Sequence, residues 1–156
     1  MNNKVVLAFS GGLDTSFCVP YLKEKGYEVH TVMVNTGGFS AEEEKSIEER
    51  ALALGAASHK NVNAVDTYYN KGIKYLIYGN ILKNATYPLS VSSERVFQAL
   101  EVLNHVKKLG AGAVAHGSTG AGNDQVRFDI VFEILAPEVK IIAPVRDEGF
   151  TRQFEI

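Results

Sequence analysis

The chain has 156 residues, 46% hydrophobic and 22% charged, with a formal charge of −2. That length suits one domain burying roughly two thirds of its unfolded surface; no run has the unbroken apolar length of a membrane span, and the charge balance gives no reason to expect a nucleic-acid partner. A single cysteine, Cys18, excludes an internal disulfide, and the polar start Asn2-Asn3-Lys4 lacks a signal-peptide core, so the expected compartment is a reducing cytoplasm.

Short β-rich runs alternate with longer segments of helical period, which predicts a doubly wound α/β fold with a mainly parallel five-stranded sheet and helices on both faces. The strand candidates are Lys4 to Phe9, Glu28 to Val34, a weaker run from Ser58 to Val62, Ala113 to His116 and Val139 to Ala143. After the first strand, Leu13, Phe17 and Tyr21 recur every four residues, with Cys18 and Leu22 beside them, so one helical stripe is expected to face the sheet as far as Gly26. Pro20 is expected to interrupt or kink that helix. Ser40 and Glu43 have capping-box spacing, and the helix they open runs through Ile47, Ala51 and Leu54 to Gly55, with Glu42 to Glu44 as its solvated first turn. Asp66 is the expected cap of a third helix reaching Ile81, whose tyrosines Tyr68, Tyr69, Tyr75 and Tyr78 read as core packing. Ser92 or Ser93 caps a fourth, with the stripe Val96, Leu100, Leu103 and Val106. A fifth spans about Asp124 to Leu135, ahead of Pro137. The tail from Thr151 through Phe154 to Ile156 reads as the first turn of a further helix, as in a segment of something longer.

Two glycine-rich turns carry the chemistry. In Ser10-Gly11-Gly12-Leu13-Asp14-Thr15-Ser16 the glycines permit close backbone approach, the helix behind adds its positive dipole end, and hydroxyls cluster beside it. A phosphate or pyrophosphate at the carboxyl edge of a parallel strand suits that arrangement. The turn has neither the Gly-Lys-Ser/Thr ending of a Walker A loop nor a G-x-G-x-x-G pattern. The second turn, His116-Gly117-Ser118-Thr119-Gly120-Ala121-Gly122, again joins a strand to a helix. Behind it Asn123, Asp124 and Arg127 fall on one helical face. Arg127 suits a carboxylate and Asp124 an ammonium group, as in an amino-acid zwitterion; the plainer alternative is an intrahelical Asp124–Arg127 ion pair with Asn123 as cap. Cys18 reads as core, and His30, His59 and His105 as structural, with no metal-ligand spacing.

The first turn resembles the PP-loop of ATP pyrophosphatases, and "LAFSGGLDTS" together with "HGSTGAGNDQVRF" is similar to the amino-terminal nucleotide-binding domain of the argininosuccinate synthase family, along essentially the whole chain. The resemblance implies ATP-dependent joining of citrulline to aspartate through citrullyl-AMP, releasing AMP and pyrophosphate, with Mg²⁺ accompanying ATP. It implies nucleotide contacts at Ala8, Phe9, Ser10, Gly11, Gly12, Leu13, Asp14, Thr15, Ser16, Val34, His116 and Gly117. It implies citrulline contacts at Tyr87, Ser92, Asn123 and Arg127, aspartate contacts at Thr119, Asn123 and Asp124, and no covalent nucleophile. It further implies a carboxy-terminal synthetase domain absent from this chain, a homo-oligomer, a tetramer in the complete enzyme, and ATP binding without full catalysis here. The stretch Tyr87 to Val96, Ala121 and Val34 depart from the family's usual residues. A tRNA-modifying PP-loop enzyme and a non-catalytic nucleotide-binding module are the alternative readings.

Overall fold

Residues 3–148 are described by the computed structural model, the side chains of Tyr87, Pro88 and Val91 excepted. In chain order the elements are β1 (Lys4–Ala8), α1 (Leu13–Glu24), β2 (Glu28–Asn35), α2 (Ala41–Ala53), β3 (Ser58–Asn63), α3 (Val65–Tyr68), a wide π turn (Tyr69–Ile73) and α4 (Lys74–Tyr78). There follow β4 (Leu82–Lys83), β5 (Tyr87–Pro88), α5 (Ser90–Leu109), β6 (Ala113–His116), α6 (Asp124–Leu135), β7 (Lys140–Ile142) and α7 (Pro144–Asp147). All five expected strands are present, in one parallel sheet of order β3-β2-β1-β6-β7; β4 and β5 form a separate antiparallel ribbon.

Successive strand residues point to opposite faces, so the apolar run of β1 supplies two cores. Val6 packs with Val32, Val114, Val102, Phe128 and Phe132 beneath α5 and α6. Val5 and Leu7 pack with Cys18, Leu22, Met33, Ile47 and Val145 beneath α1, α2 and α7. This is the doubly wound arrangement the alternation predicts. β3 is weak in sequence because it is an edge strand, polar and only partly buried. The chain winds outward from β1 to β3, then returns through α5 to β6 on the other side of β1. The β1–β6 boundary is therefore the topological switch point, where crevices open in such sheets. Parallel register sets Ala8 beside His116 there.

Several helices differ from expectation. α1 buries Cys18, Val19 and Leu22, whereas Leu13, in its first turn, is 43% exposed and lines a cavity. It also runs unbroken through Pro20, which lacks the N–H that would bond the Ser16 carbonyl. The expected helix from Asp66 to Ile81 is three pieces ending at Tyr78. Asn63, not Asp66, serves its start, its Oδ1 accepting from the Val65 N–H at 3.1 Å. The wide turn inserts a residue and so rotates α4 by about 100° relative to α3. Tyr68 stays buried; Tyr69, Tyr75 and Tyr78 are exposed, against the core packing expected of them.

α5 begins at Ser90, with Leu89 before it and no side-chain cap, so neither Ser92 nor Ser93 caps it. Those hydroxyls are occupied elsewhere, Ser92 by Arg127 and Ser93 by the Ser90 carbonyl. Its inward residues are Ala99, Val102, Leu103 and Val106; Val96 sits at the surface. The capping box at Ser40 and Glu43 is present in both directions, and α6 has the expected bounds. The turn expected from Thr151 lies outside the described residues.

Candidate functional site

The first glycine turn leaves β1 and enters α1 with Gly12 as the cap residue, its backbone extended. Gly11 has φ +74, a left-handed conformation in which a side chain is strained, and a Cβ there would stand 2.9 Å from Ile47 Cγ1. Arg50, reaching from α2, donates to the Gly11 carbonyl at 2.5 Å. With that oxygen held from behind, the first-turn N–H groups of α1, which have no intrahelical acceptor, remain for a ligand. The hydroxyls are knitted into the turn: Thr15 Oγ1 donates to the Gly12 carbonyl at 3.2 Å and lies 3.3 Å from Ser10 Oγ, which accepts from Gly12 N. Ser16 Oγ is buried and has no partner among the described residues.

The second turn lies against the first. A Cβ on Gly117 would stand 3.0 Å from Thr15 Cγ2, 3.1 Å from Thr15 N and 3.2 Å from the Asp14 carbonyl carbon, tight enough that a side chain there would require the first turn to shift by a few tenths of an ångström. His116 is 1% exposed, stacked on Phe128 at 5.6 Å, with Nε2 2.9 Å from Asp129 Oδ1 and Nδ1 accepting from the Ser118 N–H at 3.3 Å. Burial pushes its imidazole below the ordinary 6.5, against the pull of Asp129.

Both turns line one cavity of about 870 Å³, within the usual range of small-molecule sites. Ala8, Phe9, Ser10, Gly12, Leu13, Asp14, Thr15, His116, Gly117, Thr119 and Asp124 all border it, as do Val34 and Phe39 at the end of β2. Gly11 and Ser16 stand behind that wall. Asn35 shapes the β2 end: its Oδ1 accepts from Gly37 N at 2.8 Å, and its Nδ2 donates to the Phe39 carbonyl and to Glu44 Oε1.

Arg95 and Asp124 line the cavity, whereas Arg127, Ser92 and Asn123 do not; Arg127 donates to Asp124 Oδ1 at 2.6 Å and to Ser92 Oγ at 3.0 Å, while Arg95 Nε donates to Asp124 Oδ2 at 3.1 Å. The intrahelical pair weighed from sequence is thus present, extended by Arg95 and Ser92 into one row. Burial opposes ionisation of Asp124, but the hydrogen bonds from Arg95 and Arg127 outweigh it and hold the carboxyl below its ordinary 3.8. Asn123 precedes α6 without a side-chain capping bond, and its side chain, like that of Thr119, is exposed. The Tyr87 side chain lies outside the described residues. Sequence reasoning missed Asn35, Arg50, Arg95, Asp129 and Arg146; the acidic and basic signs of the last three were visible, their convergence was not. Among the described residues no group of three or more His, Cys, Asp or Glu side chains stands ready to hold a metal, and no helix is long and apolar enough to cross a membrane.

A switch-point crevice with two apposed glycine turns defines the PP-loop class of α/β nucleotide-binding folds. Among solved structures, a 4-thiouridine synthetase–RNA complex with bound ATP superposes with a TM-score of 0.71 at 17% identity, covering 98% of this chain and 39% of that one. A predicted tRNA methyltransferase subunit from Methanocaldococcus jannaschii gives 0.62 at 21%, covering 97% and 71%. At such identities the likeness is one of fold. The chain belongs to the argininosuccinate synthase family: residues 4–156 match the family described as "Arginosuccinate synthase N-terminal HUP domain". The argininosuccinate synthase of Xylella fastidiosa is 49% identical over 146 residues, covering 94% of this chain and 36% of the relative. That of Saccharolobus solfataricus is 48% identical over 154, covering 98% and 39%. The chain therefore spans little more than a third of these relatives.

Proposed function

We propose that this chain is the nucleotide-binding part of an argininosuccinate synthase, an ATP-dependent ligase of arginine biosynthesis that joins citrulline to aspartate. The observation that carries the reading is the apposition of the two glycine turns across one cavity at the β1–β6 switch point. The first-turn amides of α1 and the segment Ala8 to Ser16 receive the phosphates, and the β2 end at Val34 receives the base. The row Ser92, Arg127, Asp124 and Arg95, with Thr119 and Asn123 beside it, presents two guanidiniums and a carboxylate to amino-acid zwitterions. Tyr87 joins the citrulline side by family resemblance.

The ureido oxygen of citrulline then attacks the α-phosphorus, releasing pyrophosphate, and the aspartate amine displaces AMP from citrullyl-AMP. The protein's share is alignment of the reactants and stabilisation of charge on the transferring group, without a covalent nucleophile. Mg²⁺ would come on the nucleotide phosphates, and Asp14, at the cavity wall, is the carboxylate of the first turn that would face it. Complete turnover requires the further chain that the longer relatives possess, including the synthetase domain and the tetramer contacts, whereas MgATP binding belongs to the residues present here. A cytoplasmic location suits the substrates.

Isothermal titration tests the nucleotide site. A carboxylate about 4 Å from a phosphate costs about 4 kcal/mol at a surface-like dielectric, so Gly12→Asp should weaken MgATP by at least on the order of 100-fold. Equal heats from both proteins would reject the site. Pyrophosphate release dependent on citrulline and aspartate, measured in parallel, separates a competent enzyme from a nucleotide-binding module.

A further inference from the structure

The second turn is held from behind by side chains that the proposed chemistry does not use. Arg146, on α7, donates through Nη1 to Asp129 Oδ2 and, at 3.5 Å, to Gln125 Oε1; its Nε donates to Asp147 Oδ1 at 2.8 Å. Asp129 passes this anchorage to His116 Nε2, and His116 Nδ1 meets the Ser118 N–H. Gln125 passes it to the other end of the turn, its Nε2 donating to the Gly120 carbonyl at 2.8 Å. One guanidinium thus reaches the turn at Ser118 and at Gly120.

The pattern fixes protons as well as atoms. Ser118 N–H can only donate, so His116 Nδ1 accepts and the neutral ring carries its proton on Nε2, facing Asp129. An anchored carboxylate keeps the ring in that tautomer and orientation, as an outer carboxylate does for a ligating histidine. Because a Cβ on Gly117 would stand only 3.1 Å from Thr15 N, the placement of this strand end sets the gap between the two turns that line the cavity.

We propose that Arg146 is a positioning residue for the second glycine turn, acting through Asp129 and His116 on Ser118 and through Gln125 on Gly120, so that the turn is set against Thr15 before nucleotide arrives. Only its consequence for binding rests on the nucleotide reading above; the positioning is visible without ligand.

The test is nitrogen-detected NMR of the histidine rings and backbone amides in the protein bearing Arg146→Leu, with Arg146→Lys as the milder variant, which keeps the charge but loses the fork. Native protein should show one His116 tautomer, Nε2–H. Both variants should show a shift toward mixed tautomers and displaced Ser118 and Ala121 amides, with β3 amides at the far edge unmoved, and MgATP should bind about tenfold more weakly. A folded variant with the native tautomer and unmoved turn amides overturns the proposal; a role confined to packing α7 would lower stability and give that result. Should native protein bind no MgATP, the nucleotide reading fails, and the tautomer and amide signals still decide the positioning.

Discussion

Gly12 and Gly117 look alike in the sequence and do different work in the structure. A Cβ on Gly12 would meet only Ser10 Oγ at 3.5 Å, an ordinary contact, with the backbone in a region open to any residue. A Cβ on Gly117 would meet Thr15 and Asp14 at 3.0 to 3.2 Å, partly backbone, which must move by a few tenths of an ångström to admit it. Gly12→Ala should therefore leave stability unchanged or raise it by up to about 1 kcal/mol, through a stiffer unfolded chain. Gly117→Ala must part the two turns and should weaken MgATP by about tenfold or more, with a lower urea midpoint. Comparable affinity losses from both substitutions would mean that the turns do not depend on this contact. The two glycine clusters were legible from sequence because close backbone approach is a property of residue type. Which glycines resist a side chain was not, since the neighbour that crowds Gly117 lies on another turn and the one that crowds Gly11 lies on α2.

The elements that sequence reading recovered carry their instructions locally, and those it missed do not. Ser40 and Glu43 sit three residues apart and bond each other's backbone, so α2 starts where its sequence says. The ribbon of β4 and β5 has no comparable mark: its turn places Asn84 and Ala85 at φ 53 and 55, closed by Thr86 N donating to the Lys83 carbonyl at 3.0 Å. Lys83 pairs with Tyr87, so the loop has three residues, and its turn is left-handed at both central positions, a conformation that normally takes Asn-Gly; alanine in the second position hides it. A left-handed alanine is strained by about 1 kcal/mol, so Ala85→Gly should raise the unfolding free energy by up to about that amount despite glycine's larger unfolded entropy. Chemical denaturation of the two proteins measures it, and a less stable variant would mean that the turn is not left-handed at that residue. The break in the helix after Tyr68 was hidden for a related reason. Within the wide turn a Cβ on Gly72 would stand 3.0 Å from Phe97 Cε2 on α5, a proximity between segments far apart in the chain that no local pattern announces.

At the scale of the molecule, the parallel sheet with helices on both faces could be anticipated, because alternating β and helical runs have few ways to bury both faces of a sheet. The polar rows could not: Arg146–Asp129–His116 and Arg95–Asp124–Arg127–Ser92 are assembled from separate helices and a strand end. Burial of such groups also couples the fold to pH. Burial is the leading cause that lowers His59, His105 and His116 from their ordinary 6.5. Between that value and their folded values the unfolded chain binds protons that the folded chain refuses, so stability rises with pH there. It is complete above about 6.5 and is lost as pH falls through the folded values. Asp124 and Asp147 are depressed from 3.8, burial being outweighed by their arginine partners; their contribution is present above 3.8 and is lost only as pH falls through the lower folded values. The two classes act with the same sign, the imidazole contribution beginning to fall below about 6.5 and the carboxylate one below 3.8. Urea unfolding at about pH 7.5 and about pH 5.5 should show a decline owed to the imidazoles. His59→Gln should reduce it, leaving the share of His105 and His116, because an amide can keep the bonds to Thr31 and Asn61 without titrating. A native protein equally stable at both values would show that these rings take up protons in the folded state as readily as in water.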